Sequence, residues 1–201
     1  MRQIAVFFVS LMLTPLVMAL SITPVVEYTD TGYLSDTNPV TIGYEFTTTV
    51  PFEINALAVW YDGQGYSHDV GVWDNQGTLL VSTTVLATDQ VVGHFQWDAV
   101  SYTLAPGNYV IGAQTYENDN VYVFPNDASG ITYLPGYTWV TDCQIYGTGL
   151  NFPTVCNVGY GANGILYADF SVNAVPEPGS LWLLGTGVVG AFGMLRRRIG
   201  L

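Results

Sequence analysis

Basic residues are almost missing from this 201-residue chain, which has no lysine and only four arginines. Arg2 lies near the start, and the other three stand together near the end. Of the 16 acidic residues only Glu177 falls outside residues 20–175, so this segment has a formal charge of −15. Such a surface repels phosphate backbones and anionic lipid headgroups, so we expect no nucleic-acid partner. Two explanations of the charge stay open: a self-repelling extracellular surface, or one that recruits divalent cations.

Histidine is scarce as well, and this limits the chemistry that the chain can perform. His68 and His94 are the only two, with Asp69 and Asp98 near them in sequence. They would suit a general base or a metal pair, but no G-x-S-x-G, H-E-x-x-H or Cys/His set accompanies them. A carboxylate pair for glycoside hydrolysis is defined by a spatial separation, which a sequence does not show. We therefore predict a protein that is not an enzyme, with an unrecognised hydrolase as the minor alternative.

Only two cysteines occur, Cys143 and Cys156, in a segment rich in Gly, Asn and Thr. In an exported chain such a pair predicts a disulfide. The bond would close a loop of about 14 residues and add roughly 3 kcal/mol of stability in the chain-entropy model. A metal site is disfavoured because no histidine lies nearby.

The N-terminus has the features of a secretory signal peptide. Arg2 precedes an apolar run from Ile4 to Met18, and Val17 and Ala19 occupy the two small-residue positions that signal peptidase reads. We predict a signal helix over residues 1–19, cleaved after Ala19. An uncleaved anchor is the alternative, and Pro15 disfavours it.

The C-terminus carries a second hydrophobic segment with a different flank. Residues 175–180 read Val-Pro-Glu-Pro-Gly-Ser, and an apolar run over 181–195 follows. As a helix this run measures roughly 22 Å, short of the ~30 Å hydrocarbon core, so it would span a membrane only marginally. The arginines Arg196, Arg197 and Arg198 would stay on the cytoplasmic side and leave the preceding domain outside.

This order of Val175, Pro176, Glu177 and Pro178, a short apolar helix and a terminal arginine cluster resembles the PEP-CTERM sorting signal of Gram-negative bacteria. The resemblance covers about 25 residues and implies recognition by an exosortase, a membrane-embedded cysteine transpeptidase. It further implies cleavage near Pro176-Glu177-Pro178, with release or transfer to an extracellular polysaccharide. A simple single-span tail anchor is the alternative. The expected organisation is a signal peptide (1–19), an extracellular domain (20–174) and a sorting signal (175–201).

The middle domain reads as short strands. Residues 40–50 alternate, with Val40, Ile42, Tyr44 and Phe46 on one face, which is the period of a half-buried strand. Further strands are predicted at 52–61, 70–73, 78–85, 95–104 with a break near Ala99, 109–115 and 166–172, separated by turn signals. This spacing predicts an all-β fold, an antiparallel β-sandwich (jelly-roll-like), flanked by the signal helix and the transmembrane helix. Residues 125–163 are expected to form an irregular excursion.

The block His-Asp-Val-Gly-Val-Trp-Asp at 68–74 and the turn Leu-Ala-Pro-Gly-Asn-Tyr at 104–109 make residues 52–115 similar to an uncharacterised class of bacterial extracellular β-sandwich domains. The similarity implies the sandwich and names no ligand.

Two kinds of ligand site are candidates in this domain. Tyr66, Tyr137 and Trp139 stand in loop-like sequence and would suit stacking on a sugar ring, whereas Trp73 and Trp97 stand in strands and are expected in the core. The turn 117–120 places Glu117 and Asp119 where a calcium ion would find oxygen ligands, although the spacing matches no EF-hand and a solvated turn is the simpler interpretation. The resulting prediction is a surface or matrix protein associated with exopolysaccharide or biofilm; the alternative is a carbohydrate-binding module assisted by Ca²⁺.

Overall fold

The computed structural model describes residues 21–28, 33–35, 37–61, 63–117, 119–122, 131–157 and 166–173. The predicted signal peptide with its cleavage site at Ala19, the sorting motif at 175–178, the apolar run at 181–195 and the arginines at 196–198 all lie outside these residues. Every element of the described part is a strand, and no helix there is long and apolar enough to cross a membrane.

Fourteen strands are described, in the following order: β1 Val26–Tyr28, β2 Tyr33–Ser35, β3 Val40–Thr48, β4 Phe52–Trp60, β5 His68–Asp74, β6 Leu79–Val85, β7 Gln90–Val92, β8 Phe95–Leu104, β9 Gly107–Thr115, β10 Asn120–Tyr122, β11 Ile131–Tyr133, β12 Tyr137–Tyr146, β13 Val155–Cys156 and β14 Ala168–Val172.

Two main sheets pack against each other. The larger has the order β13-β12-β3-β9-β5-β6, the smaller has the order β14-β4-β8-β7, and all their strand pairs are antiparallel. Two short pairs, β1-β11 and β10-β2, complete the described strands. Phe46 of the larger sheet lies 5.2 Å from Phe170 of the smaller sheet, measured between ring centroids. The predicted antiparallel sandwich therefore matches the described architecture.

The alternation and turn signals located seven of the fourteen described strands, and each of the seven predicted strands is present. The break expected near Ala99 is a β-bulge, because two residues of β8 stand between Ala99 and Tyr102 while only Asn55 of β4 stands opposite them. The bulge changes which residues of β8 face inward. One of the turn signals, Asp-Asn-Gln-Gly at 74–77, joins β5 to β6 as a hairpin, and Gly77 has the positive φ of 84° that the turn requires.

The expectation of an irregular excursion over residues 125–163 is wrong where the structure describes strands, at residues 131–133, 137–146 and 155–156. Residues 137–146 form β12, a ten-residue strand that pairs with β3 along nearly its whole length. The predicted disulfide is present, and it joins Cys143 to Cys156 where β12 and β13 stand directly opposite each other. The bond therefore fastens the edge of the larger sheet, and it also closes the predicted loop, since the two cysteines are 13 positions apart.

The loop that joins β12 to β13 also covers a face of β3 that the sequence predicts to be solvated. The Thr41 hydroxyl donates to the Gly149 carbonyl at 3.3 Å and accepts from the Asn151 backbone N–H at 3.0 Å. Pro153 lies against Gly112 on the same face. Thr41 is consequently buried, although the alternation assigns it to the polar side of β3.

The core contains a carboxyl group with no cationic partner. Asp169 is fully buried, and its Oδ1 accepts the Phe170 backbone N–H at 2.8 Å, while its Oδ2 has no hydrogen-bond partner among the described residues. Burial raises the pKa of Asp169 well above its ordinary value, and the backbone hydrogen bonds from Phe170 and Val26 offset only part of this increase.

Trp73 and Trp97 are buried as predicted.

The Asp169 carboxyl predicts a specific pH dependence of stability. Because its folded-state pKa is raised, the group stabilises the fold fully below the unfolded pKa near 4, and this contribution is lost as the pH rises toward the folded pKa. Asp169→Asn, which stays neutral, should raise the midpoint of thermal unfolding at pH 7 by at least 2–4 °C, equivalent to about 1 kcal/mol, and should have little effect at pH 3.

Asp74→Asn is the matched control with the opposite sign. The backbone N–H of Thr78 holds the pKa of Asp74 below its ordinary value, so its substitution should lower the midpoint at pH 7 and lose its effect as the pH falls below the ordinary aspartate range. Circular dichroism melts of the full chain in detergent, from pH 3 to pH 8, measure the midpoint of thermal unfolding of both variants. Equal effects of Asp169→Asn at pH 3 and pH 7 would contradict the assignment.

Candidate functional site

The ends of three neighbouring strands bring dispersed residues together at one end of the sandwich. β5 begins at His68, and its antiparallel neighbour β9 ends at Thr115. Thr115 also stands opposite Val40, the first residue of β3. The residues just outside these strands, Tyr66 and Ser67, Tyr116 and Glu117, and Pro39, therefore meet at one edge.

These residues line a depression of about 560 Å³ together with Gly65. Tyr66 is 45% exposed and Tyr116 is 42% exposed, and their ring centroids lie 6.1 Å apart. The ring planes meet at 48° at the separation of a packed aromatic pair, so the two rings form one angled aromatic surface at the depression and not the flat platform of a coplanar pair. The volume is within the range of small-molecule sites.

A buried polar network supports the floor of this groove. The His68 Nδ1 lies 3.0 Å from the Gln114 carbonyl, which can only accept, so Nδ1 carries the proton and donates it. The Tyr167 hydroxyl donates to Asp119 Oδ2 at 3.2 Å, and the same oxygen lies 3.5 Å from His68 Nδ1. His68, Asp119 and Tyr167 are all buried.

Asp119 links this network to the exposed groove. Its Oδ2 accepts the Tyr116 backbone N–H at 3.2 Å, and its own backbone N–H donates to the Tyr116 carbonyl at the same distance. The His68 ring lies 5.6 Å from the Tyr116 ring and 5.9 Å from the Tyr167 ring, between centroids. The exposed tyrosine is therefore held by groups that are themselves fixed, which favours a preformed groove.

Of the three aromatic residues predicted to contact a glycan, only Tyr66 lies at this groove. Tyr137 is only 6% exposed and stacks on Phe46 with 5.2 Å between ring centroids, so it is a core residue and is not available to a ligand. Trp139 is half-buried in the middle of β12 and packs against the same core. Both assignments assumed loop-like sequence, which the position of β12 corrects.

Tyr116 was missed by sequence reasoning. One signal was available. Tyr116 directly follows β9 and Tyr66 lies just before β5, so antiparallel pairing of these two strands would bring the two tyrosines together. The sequence does not state which strands are neighbours, so this juxtaposition was not visible before the sheet order was known.

The predicted calcium ligands point in different directions. Glu117 is exposed beside the groove, whereas the Asp119 carboxylate faces inward and accepts hydrogen bonds from the protein. Within the described residues, one group of three potential metal ligands occurs, formed by Glu45 and the two disulfide-bonded cysteines. Calcium binding through Glu117 stays a prediction.

The two histidines occupy separate surroundings. His68 lies beside a carboxylate, but the His94 ring stacks on Trp60 with 5.0 Å between centroids. The described contacts therefore do not assemble the pair of histidines and a carboxylate that a hydrolytic site of this kind would need.

The last residue described before the sorting tail lies at the opposite end of the sandwich. Tyr167, which touches His68, precedes β14, and Asn173, the last described residue, follows it. Six residue steps of extended chain separate the two positions, or roughly 20 Å. The N-terminal segment is fixed at this far end too, because the Val172 N–H donates to the Thr23 carbonyl at 3.1 Å.

The buried network predicts a measurable loss on removal of one hydroxyl. Tyr167→Phe leaves the ring in place but removes the donor to Asp119, so the free energy of unfolding should fall by about 1–3 kcal/mol. Tyr61→Phe, at a tyrosine that is 44% exposed, should change it by less than about 0.5 kcal/mol. Denaturant titration of both variants provides the comparison, and equal small effects would show that the network contributes little.

Comparison with known proteins identifies the tail. Residues 174–198 match the family model described as the PEP-CTERM protein-sorting motif. No curated protein and no solved structure matches the chain. The motif implies that this is an exported protein that exosortase sorts at the membrane.

Proposed function

We propose that this protein is a non-catalytic surface or matrix protein whose sandwich associates with exopolysaccharide after exosortase has processed its tail. The depression that the Tyr66 and Tyr116 rings line would hold the glycan. The observation that carries this proposal is a pair of exposed aromatic rings held over a buried polar network, at the end of the sandwich remote from the tail.

Aromatic walls suit the apolar faces of sugar rings, and the polar groups beside them suit the hydroxyls. Ser67 and Glu117 line the same depression. A tether at Asn173 would direct the groove away from the membrane, toward a polymer outside the cell. Association with biofilm would follow from binding such a polymer.

The charge of the domain favours a neutral glycan. With no Lys or Arg between residues 3 and 195, the exported segment offers no cation to a uronate, sulfate or phosphate group. Its formal charge of −15 would repel a polyanion, and this repulsion would weaken as salt screens it. Binding of a neutral glycan should therefore change little between 50 and 500 mM salt, where the screening length falls from about 14 to about 4 Å, because a neutral ligand offers no charge to screen.

The groove is tested by truncating its walls. Tyr66→Ala and Tyr116→Ala should each weaken binding of a neutral oligosaccharide about two- to tenfold, because a stacked ring contributes on the order of 1 kcal/mol. Tyr133→Ala, at an exposed tyrosine of the opposite end, is the matched control and should leave affinity unchanged.

A glycan array on the full chain in detergent, with and without calcium, selects the oligosaccharide for titration calorimetry. An array that is blank in both conditions would exclude the carbohydrate-binding proposal. Binding only in the presence of calcium, and lost on Glu117→Gln, would favour the calcium-assisted alternative.

Sorting is tested separately. In cells that contain exosortase, mass spectrometry should find the chain shortened near Pro176-Glu177-Pro178, and the full-length form should accumulate in cells that lack the enzyme. Replacing Pro176 and Pro178 by alanine should reduce processing at least tenfold, while Tyr66→Ala should not affect it. Unchanged processing without exosortase would show that a different enzyme cleaves the tail.

A further inference from the structure

A second depression lies beside the groove, on the other side of Pro39. It has a volume of about 400 Å³ and is lined by Asn38, Pro39, Tyr146, Gly147 and Thr148. Tyr146 is 55% exposed, the largest exposure among the big apolar side chains of the described residues. More than half of this residue is therefore open to solvent and to a ligand in the depression.

Strand pairing explains why the two depressions are adjacent. Tyr146 at the end of β12 stands opposite Val40 of β3, and Val40 stands opposite Thr115 at the end of β9. Because neighbouring strands lie about 4.8 Å apart, the ends of β12 and β9 are separated by roughly 10 Å. Pro39 lies between them and contributes to both depressions.

One hydrogen-bond network holds both depressions in place. The Gln114 carbonyl accepts from His68 under the first, and the Gln114 side-chain amide donates to the Gly147 carbonyl of the second at 3.4 Å. The Gly147 backbone N–H donates to the Pro39 carbonyl at 3.0 Å. The relative position of Tyr146 and Tyr116 is therefore fixed by main-chain and buried contacts.

We propose that the two depressions are subsites of a single site, which binds an internal stretch of an extended neutral polysaccharide lying across Pro39. The inference rests on the proposed glycan binding and specifies its substrate class: an internal stretch of several units, instead of a single terminal sugar. Each subsite presents one or two tyrosines, and Glu117 is the only charged side chain among the residues that line either depression.

The two-subsite site makes the effect of Tyr146 depend on ligand length. The probes are neutral oligosaccharides of two and six units, prepared by partial hydrolysis of the exopolysaccharide of the producing cells. For the full chain in detergent, Tyr146→Ala should weaken binding of the six-unit probe about two- to tenfold and leave binding of the two-unit probe unchanged. Tyr66→Ala should weaken both.

Two further variants separate stacking from general effects. Tyr146→Phe keeps the ring and should bind the six-unit probe almost as the unaltered chain does. Val155→Ala, at a side chain of similar exposure on β13, should have no effect on either probe.

The outcomes distinguish the two proposals. If Tyr66→Ala weakens both probes and Tyr146→Ala changes neither, the second subsite is excluded while the glycan-binding groove stands. If neither probe binds, or if no tyrosine substitution affects binding, both proposals fail. Equal weakening of both probes by Tyr146→Ala would also overturn the inference, because it would place Tyr146 in the first subsite.

Discussion

The exported domain must accommodate all of its carboxylates without a single lysine or arginine, and much of its structure follows from this constraint. Buried or partly buried acids usually need a cation, since desolvation of a charge is costly. Here the donors are neutral backbone N–H groups and hydroxyls instead. The resulting pairs include Asp74 with Gln76 and Thr78, Asp69 with Thr84, Asp89 with Leu86, Asp98 with Thr83, and Asp119 with Tyr116 and Tyr167.

Where such donors are insufficient, the carboxyl group is less readily ionised. Burial raises the pKa of Asp169 well above its ordinary value. The arrangement gives a domain whose surface repels polyanions and whose interior depends little on ion pairs. Such a domain should tolerate changes of salt concentration outside the cell better than one held together by surface salt bridges.

The same constraint shapes the site. Asp119 turns inward and accepts hydrogen bonds from the Tyr116 backbone N–H and the Tyr167 hydroxyl, and by doing so it fixes the backbone at Tyr116. The groove carries two exposed aromatic rings and one charged side chain, that of Glu117. Asn173, the last residue described before the tail, follows β14 at the end of the sandwich far from the groove.

The sequence by itself determined the sorting motif, the all-β class, the disulfide and seven of the fourteen described strands. These are local properties: apolar run length, alternation with period two, and turn residues act within about ten positions. β12 escaped prediction because the irregularity between Trp139 and Thr141 interrupts its alternation. Only the tertiary structure decided that Tyr137 lies in the core and that Tyr66, Tyr116 and Tyr146 meet around Pro39, because strand order in a sheet depends on packing between distant segments.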